Sequence, residues 1–435
     1  MIVLAADWVL PVDAPPIEGG AVAFEDGRIA AVGTADELGP VDRVFEAAVI
    51  VPGFVNAHSH LEYAVYAGFG DTFDFGPWLL THVSRKRHLD WDGTLAIARL
   101  GAAECLRSGV TATGDAAFTG TAAIACAELG LRAIVYLEIF GQDPARVAGY
   151  YEKRARIDEH VGDLVRAGVS PHAPYTVTPD LYAAADALRL PVATHLAESV
   201  AEVQWLLDGT GPWQEYAHLL GPPIGTTAIR MLAERGLLHE RVVAAHCVHV
   251  DAEEITLLAD SGAGVAHCPR SNALLGCGIA PLRALLDAGV RVGLGTDSPA
   301  STPSFDMFEE LRTAVYAARA REHRGDALTA AEALELATLG SARALRLEDE
   351  VGSLAVGKRA DLAVVSLKGS PYLPIEDPAA AVVFGGSPER VLFTVVEGRP
   401  RYEKGVTDWH ELTDAAARAR ERMLAGAPEP IHELA

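Results

Sequence analysis

The chain has 435 residues, half of them hydrophobic and 22% charged, which is a globular composition in a chain longer than one ordinary domain. Acidic residues outnumber basic ones by 59 to 36, giving a formal net charge of −23, and this excess argues against nucleic acid or an anionic membrane as a partner. The five cysteines form no CxxC pair, and neither a signal segment nor a membrane-length apolar stretch is evident, so we expect a cytoplasmic protein with free thiols.

The first fifty residues predict short β-strands. Apolar, β-prone runs lie at 1–11, 19–33 and 43–53, with Gly and Asp turns between them. Similar runs return near the other end of the chain, at 357–367, 380–386 and 390–405.

Strand-like runs alternate with helical stretches through the middle of the chain. Helix-start signals separate them: Asp251 with Glu254 and Thr329 with Glu332 have capping-box spacing, and Thr178 precedes a proline. Eight strands alternating with helices over about 300 residues predict a (β/α)8 TIM barrel. The eight runs lie at 49–63, 110–116, 132–140, 167–175, 191–199, 241–250, 263–272 and 291–299.

The strand-rich ends cannot join this barrel without breaking its alternation. We therefore expect them to pair with each other as a small discontinuous β-sandwich, with residues 1–50 as its first part and 353–408 as its second. The barrel would then occupy 51–352, and the tail at 409–435 predicts one terminal helix.

The stretch VIVPGFVNAHSHLEY, residues 49–63, ends its apolar run in two histidines. Side chains two residues apart on a strand point the same way, so His58 and His60 can converge on one point. Two buried imidazoles without partners would be costly, whereas a shared metal ion would satisfy both. Taken singly, each histidine could also be a hydrogen-bonded structural residue.

Four more candidate side chains follow later strands. His172 ends the fourth, His195 the fifth, His246 the sixth and Asp297 the eighth. Because active sites of such barrels lie where the strands end, we expect these groups to meet. His246 could be a metal ligand, or it could lie near the metal without binding it or contact the substrate. His172 is a candidate substrate contact.

Three neutral imidazoles and one carboxylate suit Zn²⁺, with Fe²⁺ as the alternative. A metal held by so few protein groups keeps a position for water and lowers the pKa of that water towards about 7. Asp297 is placed to take the proton of this water. Glu198, three residues after His195, is placed to pass a proton to the substrate.

The motifs GFVNAHSH, THLAES, AHC, GTDS and VGSLAVGKRADLAVV together resemble the amidohydrolase superfamily, and within it the cytosine/adenosine-type deaminase and chlorohydrolase branch. The resemblance extends to about residue 405. It implies a metal bound by His58, His60, His195 and Asp297, with Glu198 as proton shuttle and His246 in contact with the nucleophile or the substrate. Members with two metals carry a modified lysine on the fourth strand, and RAGVSPHAPY has none, so we expect a single metal ion.

The same resemblance implies a substrate class. SPHAPYTVTP and AHCVHVDAEEI are similar to deaminases of 5′-methylthioadenosine and S-adenosylhomocysteine, while HSHLEY and the short loop to FGPWLLTHV are closer to aminodeoxyfutalosine deaminase. We therefore expect hydrolytic deamination of a 6-aminopurine nucleoside, aminodeoxyfutalosine first. Trp78 and Glu62 are further candidate substrate contacts; the alternatives are that Trp78 anchors its helix in the core and that Glu62 braces His60.

Other readings of the sequence stay open. The same residues could displace chloride from another nitrogen heterocycle or hydrolyse an amide. A scaffold protein without enzymatic activity is disfavoured by the complete set of candidate ligands together with Glu198. Relatives of this kind commonly pair, so we expect a homodimer or a larger homo-oligomer acting on a small molecule.

Overall fold

The computed structural model describes residues 1–69, 73 and 75–427. Its strands are β1 (Ile2–Val9), β2 (Ile17–Glu18), β3 (Gly20–Glu25), β4 (Arg28–Thr34), β5 (Arg43–Pro52), β6 (Phe54–Ser59), β7 (Val110–Ala117), β8 (Arg132–Ile139), β9 (Val165–Pro171), β10 (Val192–Leu196), β11 (Val242–His246), β12 (Gly264–His267), β13 (Arg291–Leu294), β14 (Leu362–Ser366), β15 (Val391–Val396) and β16 (Arg399–Glu403).

The α-helices are α1 (Ala35–Leu38), α2 (Phe75–Lys86), α3 (Trp91–Arg107), α4 (Thr121–Leu129), α5 (Ala148–Ile157), α6 (Pro179–Asp186), α7 (Val200–Asp208), α8 (Ala228–Glu234), α9 (Ala252–Ser261), α10 (Pro269–Leu274), α11 (Leu282–Asp287), α12 (Met307–Glu322), α13 (Ala330–Glu335), α14 (Ser341–Ala344), α15 (Pro378–Gly385) and α16 (His410–Gly426). A π-helical turn, Leu336–Gly340, joins α13 to α14. None of the helices described is long and apolar enough to cross a bilayer.

Strands β6 to β13 form one parallel sheet in chain order, and the sheet curls until its two edges meet. The main-chain N–H of Asp297, just after β13, donates to the carbonyl oxygen of His58 in β6 at 2.9 Å. A parallel bridge between Ser59 and Asp297 lies at the same place. The predicted (β/α)8 barrel is confirmed. A buried apolar cluster inside it takes members from six strands, among them Val55, Ala112, Tyr136, Ala193, Val243 and Ala266.

The two ends of the chain share a second, mixed sheet, as expected. Its strand order is β16-β15-β14-β5-β1-β3-β4, and β2 pairs with β1. The sheet has a buried core of its own, with contributions from both chain ends, including Val22, Phe24, Ile50, Leu362 and Phe393. Strand β5 leads through Gly53 directly into β6, so the second sheet adjoins the amino-terminal side of the first barrel strand.

A buried ion-pair network joins the two sheets. Arg132, the first residue of β8, is 2% exposed and donates from Nε to Asp361 at 3.1 Å and from Nη2 to Glu397 at 3.3 Å. Asp361 also accepts the main-chain N–H of Glu397 at 2.8 Å. Because the charges of Arg132 and Asp361 are buried, each depends on the other for compensation.

One predicted strand is wrong. Residues 380–386, AAVVFGG, lie largely within helix α15. Asp377 caps this helix by accepting the N–H of Ala380 at 3.0 Å, and Pro378 occupies its first turn. A short apolar run has no periodicity that separates strand from buried helix, and here the cap decides.

Helix boundaries elsewhere follow the predicted signals. The capping boxes of Asp251 with Glu254 and of Thr329 with Glu332 are both formed. Thr178 is the N-cap of α6, with the proline in the first turn. In the terminal segment, α16 covers His410–Gly426, and residues 428–435 lie outside the described part of the chain.

Candidate metal centre and active site

The histidines at the end of β6 meet at one carboxylate. His58 and His60 are 3% and 5% exposed, and the Nε2 atom of each lies 3.4 Å from Oδ1 of Asp297. The register of β6 against β7 shifts between Asn56 and Ser59, so the strand is irregular in the segment that contains His58. The structure brings together the pair whose spacing predicted convergence.

Asp297 is held by its second oxygen. Its Oδ2 accepts hydrogen bonds from Ser271 Oγ at 2.6 Å and Ser301 Oγ at 2.7 Å, which leaves Oδ1 directed at the histidines. Burial alone would raise the pKa of this carboxyl, but the contact with His58 and the nearby imidazoles lower it well below the usual value. Asp297 is therefore an anion at neutral pH.

His195 completes the cluster from the end of β10. Its Nδ1–H donates to the carbonyl oxygen of His172 at 2.8 Å, so Nε2 is the nitrogen that remains for a ligand. One donor atom from each of His58, His60, His195 and Asp297 lies within 4.8 Å of the other three. Burial lowers the pKa of His58 to about 4 and depresses the pKa values of His60 and His195, so the imidazoles are neutral.

These four side chains fit a divalent metal ion. Apart from its 3.4 Å contact with Asp297, the buried His58 Nε2 has no hydrogen-bond partner within the described residues, which is costly for a polar atom unless something binds it. Three neutral imidazole nitrogens and one carboxylate oxygen form a donor set of the kind that zinc and ferrous iron accept. The cluster matches the ligand set that the resemblance implies.

Glu198 and His246 lie beside the cluster without belonging to it. Glu198 follows β10 by two residues, is 4% exposed, and places Oε1 3.7 Å from Nε2 of His246. Burial raises the pKa of Glu198 to about 7. A carboxyl with such a pKa exchanges protons readily near neutrality.

The tautomer of His246 is set by an amide. Its Nδ1–H donates to Oδ1 of Asn272 at 2.9 Å, so Nε2 is unprotonated in the neutral ring and faces Glu198. Burial lowers the pKa of His246, but the charges of Glu198 and Asp297 outweigh burial and raise it.

The loops that carry these groups are conformationally strained. Ala197, His246, Cys247 and Asp297 have φ angles of 52°, 72°, 48° and 57°, a region that residues with a β-carbon rarely adopt. Such strain is concentrated at functional sites when the surroundings hold it in place. Here the carboxylate of Glu202 accepts the main-chain N–H groups of Ala197 and Glu198, each at 2.8 Å.

A cavity of about 480 Å³ opens onto the cluster, within the size range of small-molecule sites. His60, His195, Glu198, His246 and Asp297 line its inner end, and Tyr63, Trp78, Lys86, Glu138, Phe140 and His172 are among the residues that line the rest. The groups proposed for chemistry thus share one cavity with aromatic, aliphatic and charged side chains.

Two of the three predicted substrate contacts line this cavity. The His172 ring lies 4.8 Å from the Phe140 ring, between ring centroids, and its Nδ1 lies 2.8 Å from Thr176 Oγ1. Trp78 donates its indole N–H to the carbonyl oxygen of Ala300 at 2.8 Å, which fixes the ring in place. Part of the ring also lines the cavity. Contact of either residue with a substrate stays a prediction.

Glu62, the third predicted substrate contact, is not among the residues that line the cavity. It is fully buried, and its carboxylate accepts the main-chain N–H groups of Thr119 and Gly120, both at 2.8 Å, as well as the hydroxyls of Thr119 and Thr121 at 2.8 and 3.0 Å. These bonds support the loop that leads into α4. The carboxylate therefore already accepts four hydrogen bonds from that loop.

Several site residues escaped the sequence analysis. Ser271, Ser301 and Asn272 carry no local signal, since their importance lies in contacts with distant segments. Lys86 lies in the basic run RKRH at the end of α2 and gives no signal either. Glu138 is different, because a carboxylate within the apolar run RAIVYLEIF is a visible exception in the sequence.

The sequence profile of the amidohydrolase family matches residues 49–401. The chain belongs to this family. A shorter match, to the bacterial imidazolonepropionase-like composite domain, covers residues 20–39. The superfamily indicated by the sequence motifs is confirmed, and this amidohydrolase carries the expected cluster at the expected strand ends.

Relatives of this amidohydrolase include deaminases. It is 35% identical over 408 residues to a 5-methylthioadenosine/S-adenosylhomocysteine deaminase of Syntrophobacter fumaroxidans, covering 89% of each chain. It resembles the crystal structure of an adenosine deaminase from Xanthomonas campestris with bound zinc, at 30% identity, a TM-score of 0.87 and 98% coverage of each chain. It also resembles atrazine chlorohydrolase from Arthrobacter aurescens complexed with zinc, at 25% identity, a TM-score of 0.81 and coverage of 97% of this chain and all of the other.

Proposed function

We propose that this amidohydrolase is a metal-dependent hydrolytic deaminase that converts a 6-aminopurine nucleoside to the 6-oxo product and ammonia. The observation that carries the proposal is Glu198, a buried carboxyl with a pKa near 7 beside a cluster suited to a metal, at the inner end of a nucleoside-sized cavity. Deamination needs a proton donor for the purine ring and an acceptor for the proton of the attacking water. The names of the Syntrophobacter and Xanthomonas relatives support the same reaction class.

His58, His60, His195 and Asp297 would hold one divalent ion. When bound, such an ion supplies a water whose pKa falls towards neutrality. Zinc is the first choice because the Xanthomonas structure contains it, and iron(II) suits the same donors.

Separate residues of the chain carry out the individual proton transfers. Oδ1 of Asp297 accepts a proton from the attacking water, while the hydroxyls of Ser271 and Ser301 hold Oδ2 in place. Glu198, about half protonated at neutral pH, donates to N1 of the purine as C6 becomes tetrahedral. His246, fixed by Asn272, lies beside Glu198 and would contact the attacking water or the substrate. Asp297 then passes its proton to the amino group, the bond between C6 and the amino nitrogen breaks as ammonia leaves, and the remaining hydroxyl proton returns to Glu198 as the 6-oxo group forms.

Within this class we favour aminodeoxyfutalosine, followed by 5′-methylthioadenosine and S-adenosylhomocysteine. The stretch HSHLEY and the short loop before α2 favour the first, and the Syntrophobacter relative favours the second pair. All three are 6-aminopurine nucleosides that differ in the 5′ substituent. The choice among them concerns the outer end of the cavity and leaves the chemistry unchanged.

The alternative function is displacement of chloride, or hydrolysis of an amide, on another nitrogen heterocycle. The likeness to atrazine chlorohydrolase supports it, since the same water and carboxyl would serve. The leaving group distinguishes deamination, which releases ammonia from a nucleoside, from the displacement of chloride.

The deciding experiment measures ammonia release from the metal-loaded protein, with metal content determined alongside. The panel is aminodeoxyfutalosine, methylthioadenosine, S-adenosylhomocysteine, adenosine, guanine and cytosine, with atrazine as the chloride-releasing substrate. We expect ammonia from the nucleosides. Chloride from atrazine with no ammonia from any nucleoside would contradict the proposal.

A further inference from the structure

We propose that Glu138 determines substrate specificity by accepting hydrogen bonds from the cis-diol of the substrate's ribose. This inference rests on the proposed function and deepens it, because it names the part of the nucleoside that one wall of the cavity recognises.

Glu138 faces the interior of the barrel. It lies near the carboxyl end of β8, two residues after Tyr136 and four after Ile134, which both belong to the apolar cluster inside the ring. Alternation along the strand puts Glu138 on the same face. It lines the cavity that contains Glu198 and Asp297, and it is 2% exposed.

Its carboxylate lacks the donors that such burial requires. Oε2 of Glu138 has no hydrogen-bond partner in the described part of the chain. Lys153 donates to the main-chain carbonyl of Glu138 at 2.6 Å and not to its carboxylate. Lys86 places Nζ 3.5 Å from Tyr63 Oη and 3.7 Å from the centroid of the Phe118 ring. No ion pair of Glu138 is found among the described residues within 4.0 Å, so Oε2 is left as an unpartnered acceptor for a ligand.

The ligand must therefore bring O–H or N–H donors to this wall. In a 6-aminopurine nucleoside, C6 and N1 have to reach Glu198 and Asp297, so the sugar occupies the remainder of the cavity. The 2′ and 3′ hydroxyls of ribose are adjacent donors, and an ionised carboxylate accepts both. A hydroxyl also accepts, and the ammonium of Lys86 on the same wall can donate to it.

The test compares substrates with and without the diol in two variants. The wild type is expected to prefer adenosine to 2′-deoxyadenosine and 3′-deoxyadenosine in kcat/KM by on the order of 10- to 100-fold, the range for hydrogen bonds to a charged group. Glu138→Ala should lose that factor on adenosine, mainly through KM, and treat the three nucleosides alike. Glu138→Gln, with the same shape and a neutral acceptor, should discriminate to an intermediate degree.

A binding measurement removes the dependence on turnover. Inosine and 2′-deoxyinosine carry the 6-oxo group of the product, and calorimetry should show the same preference in the wild type and its loss in Glu138→Ala. Metal content should stay at the wild-type value. Glu152→Gln, at an exposed position on the neighbouring α5, is the matched control and should change neither ratio.

The other possible results contradict either the role of Glu138 or the proposed function. A wild-type preference that survives in Glu138→Ala, or a wild type without preference, refutes the role of Glu138 and leaves the deaminase proposal standing. Equal losses on all three nucleosides, with a lower melting temperature in both variants, would mean that Glu138 only stabilises the cavity wall. A wild type that neither deaminates nor binds any nucleoside overturns the proposed function and this inference with it.

Discussion

We expect Glu198→Gln to retain the metal and lose most turnover. The carboxyl lies outside the four-residue cluster, with Oε1 3.7 Å from His246 Nε2, so an isosteric amide leaves the ligands untouched. What it removes is a proton donor whose pKa matches the working pH. General acid–base catalysis contributes roughly 10²- to 10⁴-fold, so kcat should fall by that factor, or about 3–5 kcal/mol of transition-state stabilisation.

The pH dependence follows from the same group. Burial raises the pKa of Glu198 to about 7, so the protonated form that donates to N1 predominates below pH 7 and declines above it. Wild-type kcat/KM should therefore fall about tenfold per pH unit once the pH is well above 7. The residual activity of Glu198→Gln should lack this limb, because glutamine does not titrate.

The assay is ammonia release between pH 5.5 and 9, with metal content measured on the same samples. Glu215→Gln, at an exposed position, is the control and should reproduce the wild-type profile. Near-normal turnover in Glu198→Gln, or loss of metal in parallel with activity, would refute the assignment of proton transfer to Glu198.

Three further predictions concern the metal, the tautomer and the barrel. His58→Ala should abolish both metal binding and turnover, and a variant with full metal occupancy by elemental analysis would count against ligation. Asn272→Ala removes the acceptor of the His246 Nδ1–H and should lower kcat by about tenfold at unchanged metal content; an unchanged kcat would show that the tautomer needs no support. Arg132→Met leaves Asp361 buried without its cation and should cost about 3–5 kcal/mol of unfolding free energy in denaturant titrations, whereas a loss under 1 kcal/mol would show that the network contributes little.

The metal cluster could be predicted because its geometry is set by rules that act along the chain. His58 and His60 are two apart on one strand, and the strand ends of a parallel barrel share one rim. His195 and Asp297 follow strands whose apolar runs are plain in the sequence. The positions of these residues along the chain were therefore sufficient to predict that their side chains meet.

Where several short-range signals competed, prediction was less successful. The run at 380–386 has the composition of a strand, but Asp377 and Pro378 just before it are a helix-start signal, and the segment is helical. Glu62 looked like a site residue because it follows His60, but its side chain turns to the loop at 119–121. Proximity to His60 in sequence therefore does not show which groups this carboxylate binds.

The supporting residues were beyond sequence reasoning for a different reason. Asn272 reaches His246 across 26 positions and Ser271 reaches Asp297 across another 26, and each is a common polar residue in a helix. Their roles depend on distances between segments that only the closed barrel fixes. Glu138 was open to detection, since a charge in a buried strand is exceptional, but its direction depends on the strand register.

The first and last barrel strands are joined where the N–H of Asp297 meets the carbonyl of His58, and both residues also belong to the metal cluster. A cation there would link β6 and β13, the first and last strands of the barrel. These two are the one pair of neighbouring barrel strands that do not follow each other in the chain. A nascent chain that still lacks its eighth strand has no complete binding site, so uptake of the ion should report that the ring has closed. Removal of the ion should correspondingly loosen this junction before the other seven strand pairs.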